Sequence, residues 1–280
     1  MEENICGGNG NGAGGGRLAL GDADGDGDLD AALIGTSGVF LLLNDGSASF
    51  TNHGGGSGRL MGTDGSSPPL LDNGCLEWAD VDGDADLDLV YVYQYQQGDG
   101  FMSTDTLHGI HFALNDGANG FVWVDKTPII EQEEMSAATG STTVTEIPFI
   151  LENADRQVGM ACADLDLDGD IDILAAEVIL VNDGSGSLTH KRDNAILAAK
   201  DDGIIMTVLV GDLDSDGYPD AVILRRKCVQ CAVEGLSAVF RNRGEGVTST
   251  GAFTQLVGSV VSSIQADAYG GTLGDFDGDG

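Results

Sequence analysis

One nine-residue aspartate pattern recurs along this chain and constrains its fold more than any other feature. The pattern reads DADGDGDLD at 22–30, DVDGDADLD at 80–88, DLDLDGDID at 164–172 and DLDSDGYPD at 212–220, and a shortened copy, DFDGDG, follows at 275–280. Each complete copy has aspartate at positions 1, 3, 5 and 9. Because a pattern that returns at intervals of tens of residues is typical of repeat architectures, the chain is predicted to consist of similar units.

The negative charge of the chain is concentrated in these windows. The 280 residues include 46 acidic and 12 basic residues, which gives a formal net charge of −34. The five windows cover less than a sixth of the chain, yet they hold almost half of its acidic residues and no Lys or Arg. Carboxylates about 4 Å apart repel each other by roughly 1 to 4 kcal/mol per pair. A fold that repeats this cost requires a compensating cation.

The spacing of the aspartates points to calcium. Oxygen ligands on alternate residues, followed by a glycine that allows a sharp turn, are what a short Ca²⁺ loop requires. Position 6 is glycine except for Ala85 in the second copy, so we expect that loop to be strained or to bind more weakly. Position 7 varies and is Tyr218 in the fourth copy, so we expect its backbone carbonyl to coordinate. The candidate ligands are Asp22, Asp24, Asp26, Asp28 and Asp30; Asp80, Asp82, Asp84, Asp86 and Asp88; Asp164, Asp166, Asp168, Asp170 and Asp172; Asp212, Asp214, Asp216, Tyr218 and Asp220; and Asp275, Asp277 and Asp279.

The residues around the loops exclude an EF-hand. That motif needs a bidentate Glu at loop position 12 and a helix on either side. Position 12 is Leu33, Tyr91, Ala175 or Ile223, none of which ligates through its side chain. Short apolar runs precede the loops at 17–20, 75–79, 158–163 and 204–210, and similar runs follow them. Runs of this length predict buried β-strands, so each loop joins two strands.

A second element recurs downstream of each loop. An apolar run leads into Asn-Asp-Gly at 44–46, 115–117 and 182–184, and into Asn-Arg-Gly at 242–244. This is a hairpin signal, and a short fourth strand is predicted after it, at 49–52, 121–124, 188–190 and 252–257. Four antiparallel strands per unit, with the Asp loop between the first two, make one blade of a β-propeller.

With both elements in place, the sequence resembles the FG-GAP or VCBS repeat, which forms the blades of the integrin alpha-chain propeller and of many secreted and surface proteins. The resemblance covers nearly the whole chain and rests on the Asp loop paired with the downstream Asn-Asp-Gly turn. The Phe-Gly and Gly-Ala-Pro signatures of integrin blades are absent, so the VCBS branch is the closer likeness.

The predicted fold is therefore an all-β propeller with four complete four-stranded blades and the start of a fifth. We expect blades at approximately 14–73, 74–156, 157–202 and 203–257, and an incomplete one at 258–280. Insertions at 54–69, 94–109 and 125–156 account for the uneven spacing. Since propellers close with a full ring of typically four to eight blades, we expect a fragment of a larger ring; a closed four-bladed ring is the alternative.

The resemblance implies a module that binds a protein or a carbohydrate, as in adhesion, through the loops between strands, with calcium in a structural role. The alternatives are the propeller domain of a secreted polysaccharide-degrading enzyme and a structural spacer. No Gly-x-Ser-x-Gly elbow or Walker loop occurs, and the chain is not expected to be an enzyme. The acidic balance excludes sequence-independent binding of nucleic acid or anionic membranes. No apolar run approaches the ~18 residues of a membrane span.

The predicted location is extracellular or at the cell surface, because calcium loops of modest affinity fill outside cells. The first residues lack the layout of a signal peptide, which a truncated N-terminus would explain. Cys75 and Cys162 are expected to be small buried apolar residues, and Cys228 and Cys231 to form a local disulfide or remain thiols.

Two other groups of residues are assigned structural roles. Five of the twelve basic residues fall in the fourth unit and are expected to pair with the acidic background, with an anion-binding patch as the alternative: Arg225, Arg226, Lys227, Arg241 and Arg243. His108 and His111 are not expected to bind metal, because residues three apart on a strand face opposite sides.

Overall fold

In the computed structural model the chain forms β-strands joined by short loops. The structure describes residues 4–5, 17–35, 38–53, 59–61, 75–96, 106–117, 120–125, 129–135, 142–148, 159–175, 178–191, 204–226, 237–244, 253–259, 261 and 271–274. The shortened Asp window at 275–280 and the cysteines at 6, 228 and 231 therefore lie outside the described residues. Within this part, no helix is long and apolar enough to cross a membrane.

Four antiparallel sheets carry the fold, and in each the strands pair in chain order. The first sheet contains β1 (Asn4–Ile5), β2 (Arg17–Gly21), β3 (Asp30–Gly35), β4 (Gly38–Asn44) and β5 (Phe50–Asn52), and the second contains β6 (Cys75–Ala79), β7 (Asp88–Gln96), β8 (Thr106–Asn115) and β9 (Phe121–Asp125). A separate hairpin consists of β10 (Ile129–Met135) and β11 (Thr142–Pro148). The third sheet contains β12 (Met160–Ala163), β13 (Asp172–Ala175), β14 (Val178–Asn182) and β15 (Leu188–Lys191), and the fourth contains β16 (Ile204–Gly211), β17 (Asp220–Arg226), β18 (Ala238–Asn242) and β19 (Phe253–Gln255).

The four-stranded units predicted from the repeats are confirmed. Each Asp loop connects the first two strands of its repeat, and the position-9 aspartate begins the second of them. The register is also the same in every repeat, because the residue before position 1 pairs with the position-9 aspartate. These pairs are Gly21 with Asp30, Ala79 with Asp88, Ala163 with Asp172, and Gly211 with Asp220.

Two predicted loop insertions prove to contain strands. The segment 94–109 partly extends a hairpin, since β7 continues to Gln96 and β8 begins at Thr106. The link 125–156 contains the β10–β11 hairpin. The isoleucines of β10 and the threonines and valine of β11 favour this extended backbone. The edge strand β1 was not predicted.

The sheets follow one another in chain order and meet at the first strand of each repeat. β2 contacts β6, β6 contacts β12, and β12 contacts β16. Three apolar clusters lie between consecutive sheets: the first holds Leu41 and Trp78, the second holds Phe112 and Ile173, and the third holds Leu174 and Phe240. Ile173 and Leu174 are neighbours in β13 and belong to different clusters, so the third sheet is covered on both faces. Fully burying one such side chain contributes roughly 1.5 to 3 kcal/mol.

Tight packing at this junction explains one glycine. A Cβ placed on Gly21, which precedes the first Asp loop, would lie 2.7 Å from Cδ1 of Trp78 in the next sheet. Trp78 is itself 1% exposed. A larger residue at 21 would therefore displace the first two sheets from each other, and with them the Asp loops that begin at their ends.

Candidate metal centres

The four described Asp loops share one backbone frame. The position-1 carboxylate accepts a hydrogen bond from the backbone N–H of position 6, with N···O distances of 2.8 to 3.0 Å. The position-5 carboxylate accepts one from the N–H of position 7, at 2.9 to 3.0 Å. The carboxylates of each loop therefore fix the conformation of the loop's own backbone.

Position 6 has the backbone conformation that the sequence predicts. Its φ angle is positive in all four loops, at 92° for Gly27, 99° for Gly169 and 92° for Gly217. Ala85 adopts φ 74° at the same position, which strains a residue that carries a Cβ. Position 4 also has a positive φ angle in every loop, which the sequence did not predict. In the third loop this position is Leu167, with φ 59°.

The position-9 aspartate fixes each loop to the turn that ends the third strand of its repeat. It is buried in every loop: Asp30, Asp88 and Asp172 are 0% exposed and Asp220 is 2% exposed. One oxygen accepts the N–H of loop position 2, at 2.9 to 3.2 Å. The other accepts the N–H of the asparagine that opens the downstream turn, at 2.8 to 2.9 Å. The two repeated sequence elements are thus one structural unit.

Three of the predicted ligands in each loop come together. Carboxylate oxygens of positions 1, 3 and 9 lie within 4.8 Å of one another in four triads: Asp22, Asp24 and Asp30; Asp80, Asp82 and Asp88; Asp164, Asp166 and Asp172; Asp212, Asp214 and Asp220. The oxygens Oδ1 of Asp24, Asp82 and Asp166, at position 3, are buried and have no hydrogen-bond partner in the described part of the chain. An oxygen in this state, beside two further carboxylates, fits a directly bound cation.

The remaining predicted ligands lie outside these triads. The side chains of Asp28, Asp86 and Asp170, at position 7, lie against the glycine of the downstream turn, and a Cβ on that glycine would collide with the carboxylate. These side chains are directed at the turn, so coordination by position 7 through its backbone carbonyl stays a prediction. The position-5 carboxylates border the triads and use one oxygen for the loop frame.

The electrostatics of the first three loops also favour a cation. Burial, followed by repulsion from neighbouring aspartates, raises the pKa of Asp24, Asp82 and Asp166 above the ordinary value. Burial raises the pKa of Asp88 and of Asp172 to about 7, although backbone N–H groups that bond each carboxylate act in the opposite direction. A nearby divalent ion favours the ionised form of these groups.

The fourth loop keeps the backbone frame but has a different charge environment. Asp212 and Asp214 are exposed, whereas their counterparts in the other loops are half-buried. Arg241 from β18 pairs through Nε with Asp214 and through Nη2 with Asp216, the latter at 3.2 Å. The Tyr218 backbone N–H and the Arg241 guanidinium lower the pKa of Asp216. The expected pairing of basic residues with the acidic background is confirmed for Arg241.

The asparagine of each downstream turn has a structural role that the sequence did not predict. Each side-chain Nδ2 donates to the position-8 carbonyl of its own loop, at 3.1 to 3.2 Å. In three repeats it also donates to the position-2 carbonyl of the preceding loop, at 2.8 Å: Asn115 to Ala23, Asn182 to Val81, and Asn242 to Leu165. We call these three residues the inter-loop asparagines. Their recurrence at one place per unit was the available signal, but it was interpreted only as turn chemistry.

The structure describes the surroundings of some of the cysteines and histidines. Cys75 is fully buried, as expected, and it is disulfide-bonded, which was not predicted. Cys162 is half-buried and forms no disulfide. His111 packs against the ring of Tyr91, with 5.5 Å between ring centroids, and belongs to no metal-holding group of described residues.

Comparisons with known proteins do not assign the chain to a family. No family model matches the sequence, and no curated protein matches it. The chain is similar to a solved structure of a lectin from Agrocybe aegerita, described as recognising non-reducing terminal N-acetylglucosamine, with 12% sequence identity and a TM-score of 0.30. The match covers 90% of this chain and 81% of that one. At this TM-score the similarity carries no argument about fold or ligand.

Proposed function

We propose that this chain is a calcium-stabilised β-propeller segment of the FG-GAP or VCBS type that serves as an extracellular module for binding a protein or a glycan. The observation that carries the proposal is the set of buried position-3 oxygens without a hydrogen-bond partner, each within a triad of carboxylates and repeated in three loops. Buried polar groups in folded proteins are compensated by a partner, and one cation at each triad would compensate all three oxygens in the same way.

Calcium is the metal that suits these donors. Every side chain in the triads offers oxygen, whereas zinc sites in proteins draw on cysteine and histidine. Magnesium demands near-ideal octahedral geometry and usually keeps several waters. Calcium accepts six to eight oxygens in flexible geometry, which a loop with carboxylates on alternate residues can provide.

The ion is proposed to be structural. Each loop joins the first and second strands of its repeat, and its position-9 aspartate is bonded to the turn after the third strand of the repeat. An ion there would therefore hold three strands of one sheet together. Calcium at about 100 times its Kd would add about 2.7 kcal/mol of stability per site. Repetition of one site in successive sheets favours this role over catalysis, and we propose no enzymatic activity.

Three observations support the propeller. The first strands of successive repeats contact one another, the second and third sheets are covered on both faces, and each inter-loop asparagine donates a hydrogen bond to the preceding loop. The same relation repeated between neighbouring sheets generates a ring or an arc of blades around the first strands. Binding is then proposed at the loops between strands on one face of that ring.

The disulfide at Cys75 supports an extracellular location. Disulfides persist in oxidising compartments, and calcium is abundant in the same places. The net charge of −34 disfavours anionic partners, so we propose a neutral or cationic ligand surface, on a glycan or a protein.

The proposal is tested by differential scanning calorimetry in calcium and in chelator. We expect the parent protein to melt at a higher temperature in calcium, and Asp166→Asn to reduce this gain. The matched control is Asp183→Asn, which removes the same charge from the exposed downstream turn of the same sheet, outside the triad. Equal sensitivity of the two variants would show that calcium acts through general charge screening and not through the triads.

A further inference from the structure

We propose that the guanidinium of Arg241 takes the place of calcium in the fourth Asp loop, so that this loop folds with a cation supplied by the chain. The inference rests on the proposed calcium sites of the other loops. It assigns to Arg241 the control of how many ions the chain binds, and it predicts that one substitution creates an additional site.

The geometry places the guanidinium among the aspartates that a metal would need. Arg241 precedes Asn242, the inter-loop asparagine of the fourth sheet, and its Nε and Nη2 pair with Asp214 at position 3 and Asp216 at position 5. In the first three loops the position-3 carboxylate instead has a buried oxygen with no hydrogen-bond partner. In the fourth loop the arginine thus pairs with the position-3 carboxylate, which in the other loops is available to an ion.

The corresponding residues of the other repeats are apolar. The residue before the turn asparagine is Leu43, Leu114 or Val181, and each packs against the cluster between its own sheet and the next. None of them brings a positive charge to its loop. The arginine is therefore a feature of the fourth repeat alone among the four described repeats.

A second change in the fourth loop has the same effect on its charge. Position 7 is Tyr218, and its ring lies against Gly244 in the place that an aspartate takes in the other loops. The fourth loop consequently contains four aspartates and a guanidinium, whereas each of the others contains five aspartates and no basic partner in the described residues. Both changes lower the demand for an added cation.

The backbone frame of the fourth loop is nevertheless intact. The position-1 and position-5 carboxylates accept their usual N–H groups at 2.8 and 3.0 Å, and Asp220 accepts those of Leu213 and Asn242. To occupy this loop, calcium would have to displace a guanidinium that is tethered beside the carboxylates and pairs with two of them. The triad of Asp212, Asp214 and Asp220 is thus a latent site that Arg241 closes.

The test counts calcium ions per chain by isothermal titration calorimetry and equilibrium dialysis. Arg241→Leu, which introduces the residue of the first two repeats, is expected to bind one more ion per chain than the parent. Asp214→Asn added to Arg241→Leu is expected to remove that ion. The control Arg243→Leu makes the same charge change in the same exposed turn and is expected to leave the number unchanged.

Asp214→Asn in the parent chain keeps the inference testable even if Arg241→Leu does not fold. We expect this variant to bind as many ions as the parent, and loss of one ion would overturn the inference. The same number of ions in the parent and in Arg241→Leu would also overturn it, while leaving the proposed function intact. Absence of calcium binding by both chains would overturn the proposed function and the inference together.

Discussion

The third and fourth Asp loops have the same backbone frame and differ in the charged groups around their aspartates. In both, the position-9 aspartate is buried and accepts two backbone N–H groups. In the third loop Asp166 keeps a buried oxygen without a hydrogen-bond partner, whereas in the fourth Asp214 pairs with Arg241. The loop conformation is therefore encoded by bonds within the chain. The balance of charge is a separate requirement, and we propose that an ion meets it in the third loop and Arg241 in the fourth.

Removal of the position-9 aspartate should separate the contribution of the backbone hydrogen bonds to stability from that of the bound ion. In saturating calcium, Asp172→Ala is expected to lose both the acceptor for two N–H groups and one ion, and to destabilise the fold by about 5 kcal/mol. Asp220→Ala is expected to lose only the acceptor, at about 2 to 3 kcal/mol. Urea unfolding measures both values. Equal losses would mean that the two loops do not differ in metal binding.

Stability against pH in chelator should expose the uncompensated carboxyls. Burial raises the pKa of Asp88 and Asp172 to about 7, so the folded chain binds more protons than the unfolded chain between pH 4 and 7. Stability is thus expected to fall by a few kcal/mol, as an order of magnitude, as the pH rises through this window. Asp172→Asn should flatten the profile, and Asp183→Asn should not. A profile that rises with pH in chelator would contradict this account of the apo loops.

Position 3 offers a cleaner comparison of the ion alone. With calcium at about 100 times its Kd, Asp166→Asn is expected to lose about 2.7 kcal/mol and one bound ion. Asp214→Asn, at the same position of the fourth loop, should lose little stability and no ion, because its partner is the exposed Arg241. Calcium titration and urea unfolding of the two variants give the result. A larger loss of stability for Asp214→Asn than for Asp166→Asn would contradict the assignment of calcium to the third loop and of arginine to the fourth.

The inter-loop asparagines should contribute equally to the stability of the third and fourth repeats. Asn182→Ala and Asn242→Ala each leave two carbonyls without their donor, one of them in the preceding loop, and about 1 to 3 kcal/mol is expected from each. Asn44→Ala removes only the bond to Leu29 in the described structure and should cost less. Thermal unfolding in calcium ranks the three variants. Equal losses of stability in all three variants would show that the hydrogen bonds between loops do not contribute to stability.

Much of the fold could be predicted because the repeats contain redundant signals. Apolar runs on both sides of each Asp loop, followed by the turn asparagine, define the four strands of every unit, and the structure has them at nearly the predicted residues. The alternation of aspartates predicted candidate ligands at positions 1, 3, 5, 7 and 9, and the structure brings the carboxylates of positions 1, 3 and 9 together. These features are local, so the sequence displays them directly.

What could not be predicted depends on contacts between distant residues. The bond from Asn182 to Val81 joins residues 101 positions apart, and nothing near Asn182 indicates its acceptor. The pairing of Arg241 with Asp214 is visible only once β18 lies beside the fourth loop. The β10–β11 hairpin was not predicted for a different reason, because the link that contains it matches neither of the two recurring sequence elements.

The most direct test of the central claim is calcium titration of the parent chain by calorimetry, paired with melting curves in calcium and in chelator. The account predicts saturable binding to the first three loops and a melting temperature that rises as these sites fill. A chain that binds no calcium, with melting curves that coincide in calcium and in chelator, would contradict it.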